Sequence, residues 1–299
     1  MTFQKSSVAA RLLPIGLLLI AMACIQGGAS LAASLFPAIG PAATTSLRLI
    51  IAACIVLAIF RPWRWRVERA DWRNIAVYGV ALGSMNFLFY QALAHIPLGI
   101  AVALEFVGPL TVALLSSKRR LDLLWVAIAI AGLAVLLGNG HGNDGGTLDA
   151  YGVLCALAAG GCWAAYILFG QKAGAVNGLR SAVWGITIAA VVVAPVGLVG
   201  ASAAAIFVPE VLLVAVGVAL LSTALPYTLE MFALPRLPTQ TFGTLMSLEP
   251  AFGALSGLLF LGQALSLLQW LAIAAVIVAS IGTTVTGRSA EIAETPYPD

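Results

Sequence analysis

The chain has 299 residues, of which 61% are hydrophobic and only 9% charged. A soluble domain carries about 25% charged residues, so this composition excludes a water-soluble fold and points to a polytopic, all-α integral membrane protein. The formal net charge of +3 says little by itself, and no nucleic-acid partner is expected.

A spanning helix needs about 20 mostly apolar residues. Breaking the chain at its charges, prolines and glycine clusters predicts ten: 12–35, 42–60, 73–94, 98–117, 121–138, 148–170, 181–200, 209–233, 239–262 and 267–286. The first run follows Lys5 and Arg11 and contains "GGASLAAS", the outline of a secretory leader. Its length and the many runs after it make it a retained first membrane helix. It carries Gln26 beside the small pair Gly27 and Gly28, where helices can approach closely and a polar group can bond across. The second span holds Arg48. The third holds Asn86 and Tyr90, four apart on one face, and ends at His95, which reads as solvated.

"PLGIAVALEFVGP", 97–109, places Glu105 about as deep in the fourth span as Arg48 lies in the second. A buried ionised group is costly, and two readings stand: an ion pair between the two, or Arg48 holding a substrate carboxylate while Glu105 holds an amine or a proton. The loop "NGHGNDGG", 139–146, carries His141, also read as solvated. Trp163 and Tyr166 share a face of the sixth span. In the eighth, Thr223, Tyr227 and Glu230 lie on one face near Pro226; Glu230 either serves the site or snorkels to the interface. In the ninth, Glu249 directly precedes Pro250, which removes a backbone donor and opens the helix locally. Cys24, Cys54, Cys155 and Cys162 fall in apolar runs without metal-ligand spacing and read as small buried hydrophobes. The tail, 287–299, reads as disordered.

Positive charge favours the cytoplasmic side. With ten spans and cytoplasmic termini, every Lys and Arg except Arg48 falls inside. The chain also repeats. "GASLAASLF", 28–36, parallels "GCWAAYILF", 161–169, and "PLGIAVALEFVGP" parallels "PTQTFGTLMSLEP", 238–250. Two five-helix repeats, 12–138 and 148–286, have an odd span count and are therefore inverted, an architecture that places a transport site between the halves near the midplane.

"IQGGASLA", 25–32, "PLGIAVALEFVGPL", 97–110, and "LPTQTFGTLMSLEP", 237–250, resemble the EamA-type transporters of the drug/metabolite transporter superfamily, specifically the bacterial threonine/homoserine exporters. The resemblance covers the chain from Leu12 to about Thr286. It implies a multi-pass exporter of small amino acids in the bacterial inner membrane, driven by the proton gradient, with no cofactor. In one departure, Gln263 stands where EamA repeats often carry a glutamate after Leu-Gly, so that position is given no proton role.

The expected site takes a small zwitterion between the halves. Arg48, Gln26 or Asn86 meets its carboxylate and Glu105 or Glu249 its ammonium; Tyr90, Trp163, Tyr166 and Tyr227 line the cavity. Glu105, Glu249 and Glu230 are the candidate proton carriers. Other cargo of the same machinery (aromatic amino acids, purines, drugs) remains the alternative. An intramembrane enzyme would need paired aspartates or a Ser/His pair at depth, and no Asp or His is central to a span.

Overall fold

The computed structural model describes residues 8–64, 67–115, 120–139, 147–199, 203–226, 229, 237 and 244–294. Every regular element among them is helical. The longer ones are α1 (Val8–Ala33), α2 (Phe36–Phe60), α3 (Trp72–His95), α4 (Leu98–Glu105), α5 (Val107–Leu115), α6 (Arg120–Asn139), α7 (Ala150–Asn177) and α8 (Leu179–Leu198). There follow α9 (Ala203–Ile206), α10 (Pro209–Ala219), a π-turn (Leu220–Ala224), α11 (Glu249–Leu261) and α12 (Leu267–Glu294).

Seven helices are long and apolar enough to cross a membrane; Leu98–Val112, Leu123–Gly138 and Pro209–Ala224 are shorter apolar helices. Proline chemistry interrupts two of these predicted spans. Pro109 brings no N–H to the carbonyl of Glu105 four residues before it, and the helix breaks at Phe106 between α4 and α5. Pro226 likewise leaves the Ser222 carbonyl without its helical donor, and α10 widens into the π-turn just before it. Around Glu249 the chain also departs from a continuous helix: Ser247 and Leu248 form a turn and Glu249 opens α11. In α2 the kink lies at Gly40 (φ 75°), ahead of Pro41, and Thr44 donates back to the Gly40 carbonyl at 2.7 Å.

All eight residues of α4 are buried, which explains why its sequence lacks an amphipathic stripe: it has no lipid-facing side. It packs against α7 and α11, and its start is capped from α11's end, where Gln263 Oε1 accepts the Leu98 N–H at 2.9 Å. Around this centre α3 packs along α7, α2 along α8, and α6 along α12, while α1 lies against α10 and α11. The outer surface is apolar, with Leu154, Val191, Leu213, Leu259 and Phe260 exposed, as a bilayer-facing surface requires.

Two expectations, on His95 and the cysteines, need correction. His95 is not merely solvated: its Nδ1 lies 2.6 Å from Asp149 Oδ2. Asp149 also caps α7 by accepting the Tyr151 N–H, and that bond first, then His95, holds its carboxyl below the usual carboxylate range. His141 lies outside the described residues. Cys54 is exposed rather than buried, although all four cysteines are free. α12 continues through Glu294, into the stretch read as a tail.

Candidate functional site

The helix breaks converge on a cavity of about 420 Å³. Eight of the residues singled out in the sequence line it: Gln26, Arg48, Asn86, Tyr90, Glu105, Trp163, Tyr166 and Glu249. Tyr227 and Glu230 lie outside the described residues.

Arg48 is 8% exposed. Its Nη1 donates to the Tyr90 hydroxyl at 3.1 Å and its Nη2 to the Ser222 carbonyl at 3.3 Å. That carbonyl is the one whose donor four residues on is missing at Pro226, and a guanidinium from α2 bonds it instead. Among the described residues Arg48 makes no ion pair with Glu105, which corrects the pairing reading: a shared depth does not require that two side chains point at each other. The Arg48 Nε remains buried without a partner among the described residues. Tyr90 is fully buried, packs beside the guanidinium (5.3 Å to the ring centroid) and meets Phe36 at 5.9 Å, so the arginine is walled on one side.

Glu105 and Glu249 are 7% and 6% exposed. Glu105 ends α4 at the break and lines the same cavity as Glu249 and Arg48. Glu249, at the start of α11, accepts from Gln26 Nε2 at 3.4 Å. Gln26 therefore lines the cavity and bridges helices at once. Asn86 bonds within its own helix, donating to the Leu82 carbonyl at 2.8 Å. Trp163 stands edge-on to Phe106 at 5.6 Å, and Tyr166 stacks on Tyr78 at 5.0 Å. The cavity therefore sets one guanidinium and two carboxyls among aromatic walls. Such an arrangement is chemically complementary to a small molecule carrying both charges.

Sequence reasoning missed Ser222, Ser280 and Thr284, which also line the cavity. Pro226, four residues after Ser222, is a usable signal for the first. For the others the signal is their spacing of four on one helical face. Of the Gly27–Gly28 pair, Gly28 makes the close contact: a Cβ there would fall on the Ser222 side chain.

The EamA-like transporter family model matches residues 150–285. The threonine/homoserine exporter RhtA of Escherichia coli strain K12 is 52% identical over 276 residues, covering 92% of each chain. This chain belongs to the EamA-like transporter family. It is a transporter and not an enzyme. RhtA of Salmonella typhimurium strain LT2 is similar to the same extent, 52% over 92% of each chain. An uncharacterized transporter of Bacillus subtilis, YwfM, is 26% identical over 86% of this chain and 88% of its own. A solved crystal structure superposes with TM-score 0.62 at 21% identity, covering 96% of this chain and all of that one; it speaks to the fold of this EamA-like transporter alone.

Proposed function

We propose that this EamA-like transporter exports small amino acids, threonine and homoserine foremost, across the bacterial inner membrane by alternating access coupled to proton antiport. The cavity carries the reading: it places the Arg48 guanidinium and the Glu105 and Glu249 carboxyls around one space. Arg48 Nε is the donor for the cargo carboxylate; a carboxylate of Glu105 or Glu249 receives the ammonium. Antiport requires a carboxylate that proton or cargo occupies in turn, never both; among the described residues Glu105 and Glu249 are buried acids that line the cavity, which supports that role for them. The 52% identity to exporters of threonine and homoserine supports the cargo.

The transporter is read as ten crossings in two inverted five-helix repeats. The contact pattern supports this. Helices in corresponding positions of the two halves meet directly (α2 with α8, α4 with α11, α6 with α12), and the α3–α7 contact has its counterpart in α10–α1. A two-fold axis in the membrane plane produces such pairing. The placement of basic residues on one side supports cytoplasmic termini.

The test is efflux of labelled threonine and homoserine from proteoliposomes, with and without an imposed proton gradient. The gradient is expected to accelerate wild-type efflux, and Glu105→Gln and Glu249→Gln each to abolish the acceleration. Coupled efflux unchanged in both variants would refute the proton role. A wild type that moves neither amino acid overturns the cargo. A panel of aromatic amino acids, purines and drugs on the same vesicles then decides whether the aromatic walls serve those instead.

A further inference from the structure

Ser222 is a specificity residue: we propose that its side chain forms a subsite for a hydroxyl on the cargo. The inference rests on the exporter reading above and deepens it.

Three observations point there. First, the hydroxyl of Ser222 is buried and without a hydrogen-bond partner among the described residues, as is Gln26 Oε1, and both residues line the cavity. An unsatisfied buried polar atom is costly, so a ligand that completes it binds with that advantage.

Second, Ser222 differs from other hydroxyls of the fold. Ser30, Thr44, Thr45 and Thr284 each donate to a carbonyl four residues back along their own helix. Ser222 sits in the π-turn and, like Thr223 beside it, makes no such bond among the described residues, so its O–H is not committed to the backbone; of the two, Ser222 lines the cavity, and a turn about its Cα–Cβ bond presents the hydroxyl there.

Third, the location is right. The Ser222 carbonyl accepts from Arg48 Nη2 at 3.3 Å, so the hydroxyl of the same residue lies beside the group assigned to the cargo carboxylate. A hydroxyl one or two carbons from the α-carbon is what an amino acid anchored there presents. Gly28 makes room for this arrangement, since a side chain at that position would collide with the Ser222 oxygen.

Chemistry then dictates a preference. A site built to hydrogen-bond a hydroxyl rejects the analogue that lacks it, because its own polar atoms are left dry; such discrimination reaches about 10⁴–10⁵-fold in favourable cases. A merely apolar pocket separates threonine from its isostere valine weakly. The structure therefore favours threonine over valine and homoserine over norvaline.

The experiment measures equilibrium binding of these four amino acids to the purified full-length protein by calorimetry, repeated with Ser222→Ala. This change keeps the main-chain carbonyl that orients Arg48. Wild type is expected to prefer each hydroxy amino acid by roughly 100-fold or more, and Ser222→Ala to reduce that ratio at least about tenfold. Valine binding as tightly as threonine to wild type overturns the inference even if the variant does not fold. A folded Ser222→Ala with the wild-type ratio overturns it too. Wild type that binds none of the four refutes the exporter reading and this inference together, so the two failures are distinguishable.

Discussion

Arg48 shows how much a side chain's meaning depends on what it donates to. Two of its nitrogens are engaged by Tyr90 and Ser222, and the third, Nε, is buried without a partner among the described residues. Lysine has the charge but not the planar fork, and its donors radiate from one nitrogen rather than from three set in a plane. Arg48→Lys is therefore expected to raise the threonine KM about 10- to 100-fold, from charge-assisted bonds worth about 1.5–3 kcal/mol, with protein yield preserved; initial efflux rates over a range of threonine concentrations measure it. Counting residues along two helices places Arg48 and Glu105 at one depth, yet it leaves their azimuth open, and the structure turns Arg48 toward a backbone carbonyl instead. Ser222 is nearly silent in the sequence because a serine in an apolar run is ordinary. Only Pro226, by removing a donor, marks it. Charged residues in an apolar setting are conspicuous from composition alone, which is why Glu105 and Glu249 are legible before any fold is known.

Helices meet most closely here where glycine removes the side chain. α5 and α7 cross at Gly108 and Gly160, and a Cβ on Gly160 would lie 2.6 Å from the carbonyl of Glu105. That carbonyl is the one Pro109 frees, so the break that positions the glutamate exists within a tight crossing. Gly160→Val is expected to destabilise the fold by about 1–3 kcal/mol through overpacking and to slow efflux; a detergent thermal melt monitored by fluorescence checks the first part. Gln263 acts at this scale as well. The sequence marks it as a place where an acid is missing, whereas in the fold its amide oxygen caps the first turn of α4. A cap needs a partner from another segment, and neither periodicity nor composition reveals which. The continuous apolar run of α4 is readable, and its full burial is the physical reason for that run.

Across the whole molecule, an apolar exterior surrounds a polar centre. Hydropathy locates the crossing segments because every backbone group in lipid must be bonded within the segment, and it cannot locate the breaks, which depend on what packs beside them. The proposed orientation has a direct test in a cysteine-free background. A membrane-impermeant maleimide is expected to label Gly142→Cys in intact cells and Glu68→Cys only after permeabilisation; the reverse pattern overturns the orientation. The bond between Arg48 and Ser222 also acts at this scale, because it joins α2 to the π-turn that follows α10, helices drawn from opposite halves of the chain. Under the proposed function, the arginine assigned to the cargo carboxylate is therefore also a strut between the halves, so a cargo that shifts the guanidinium shifts the contact that holds them in this arrangement.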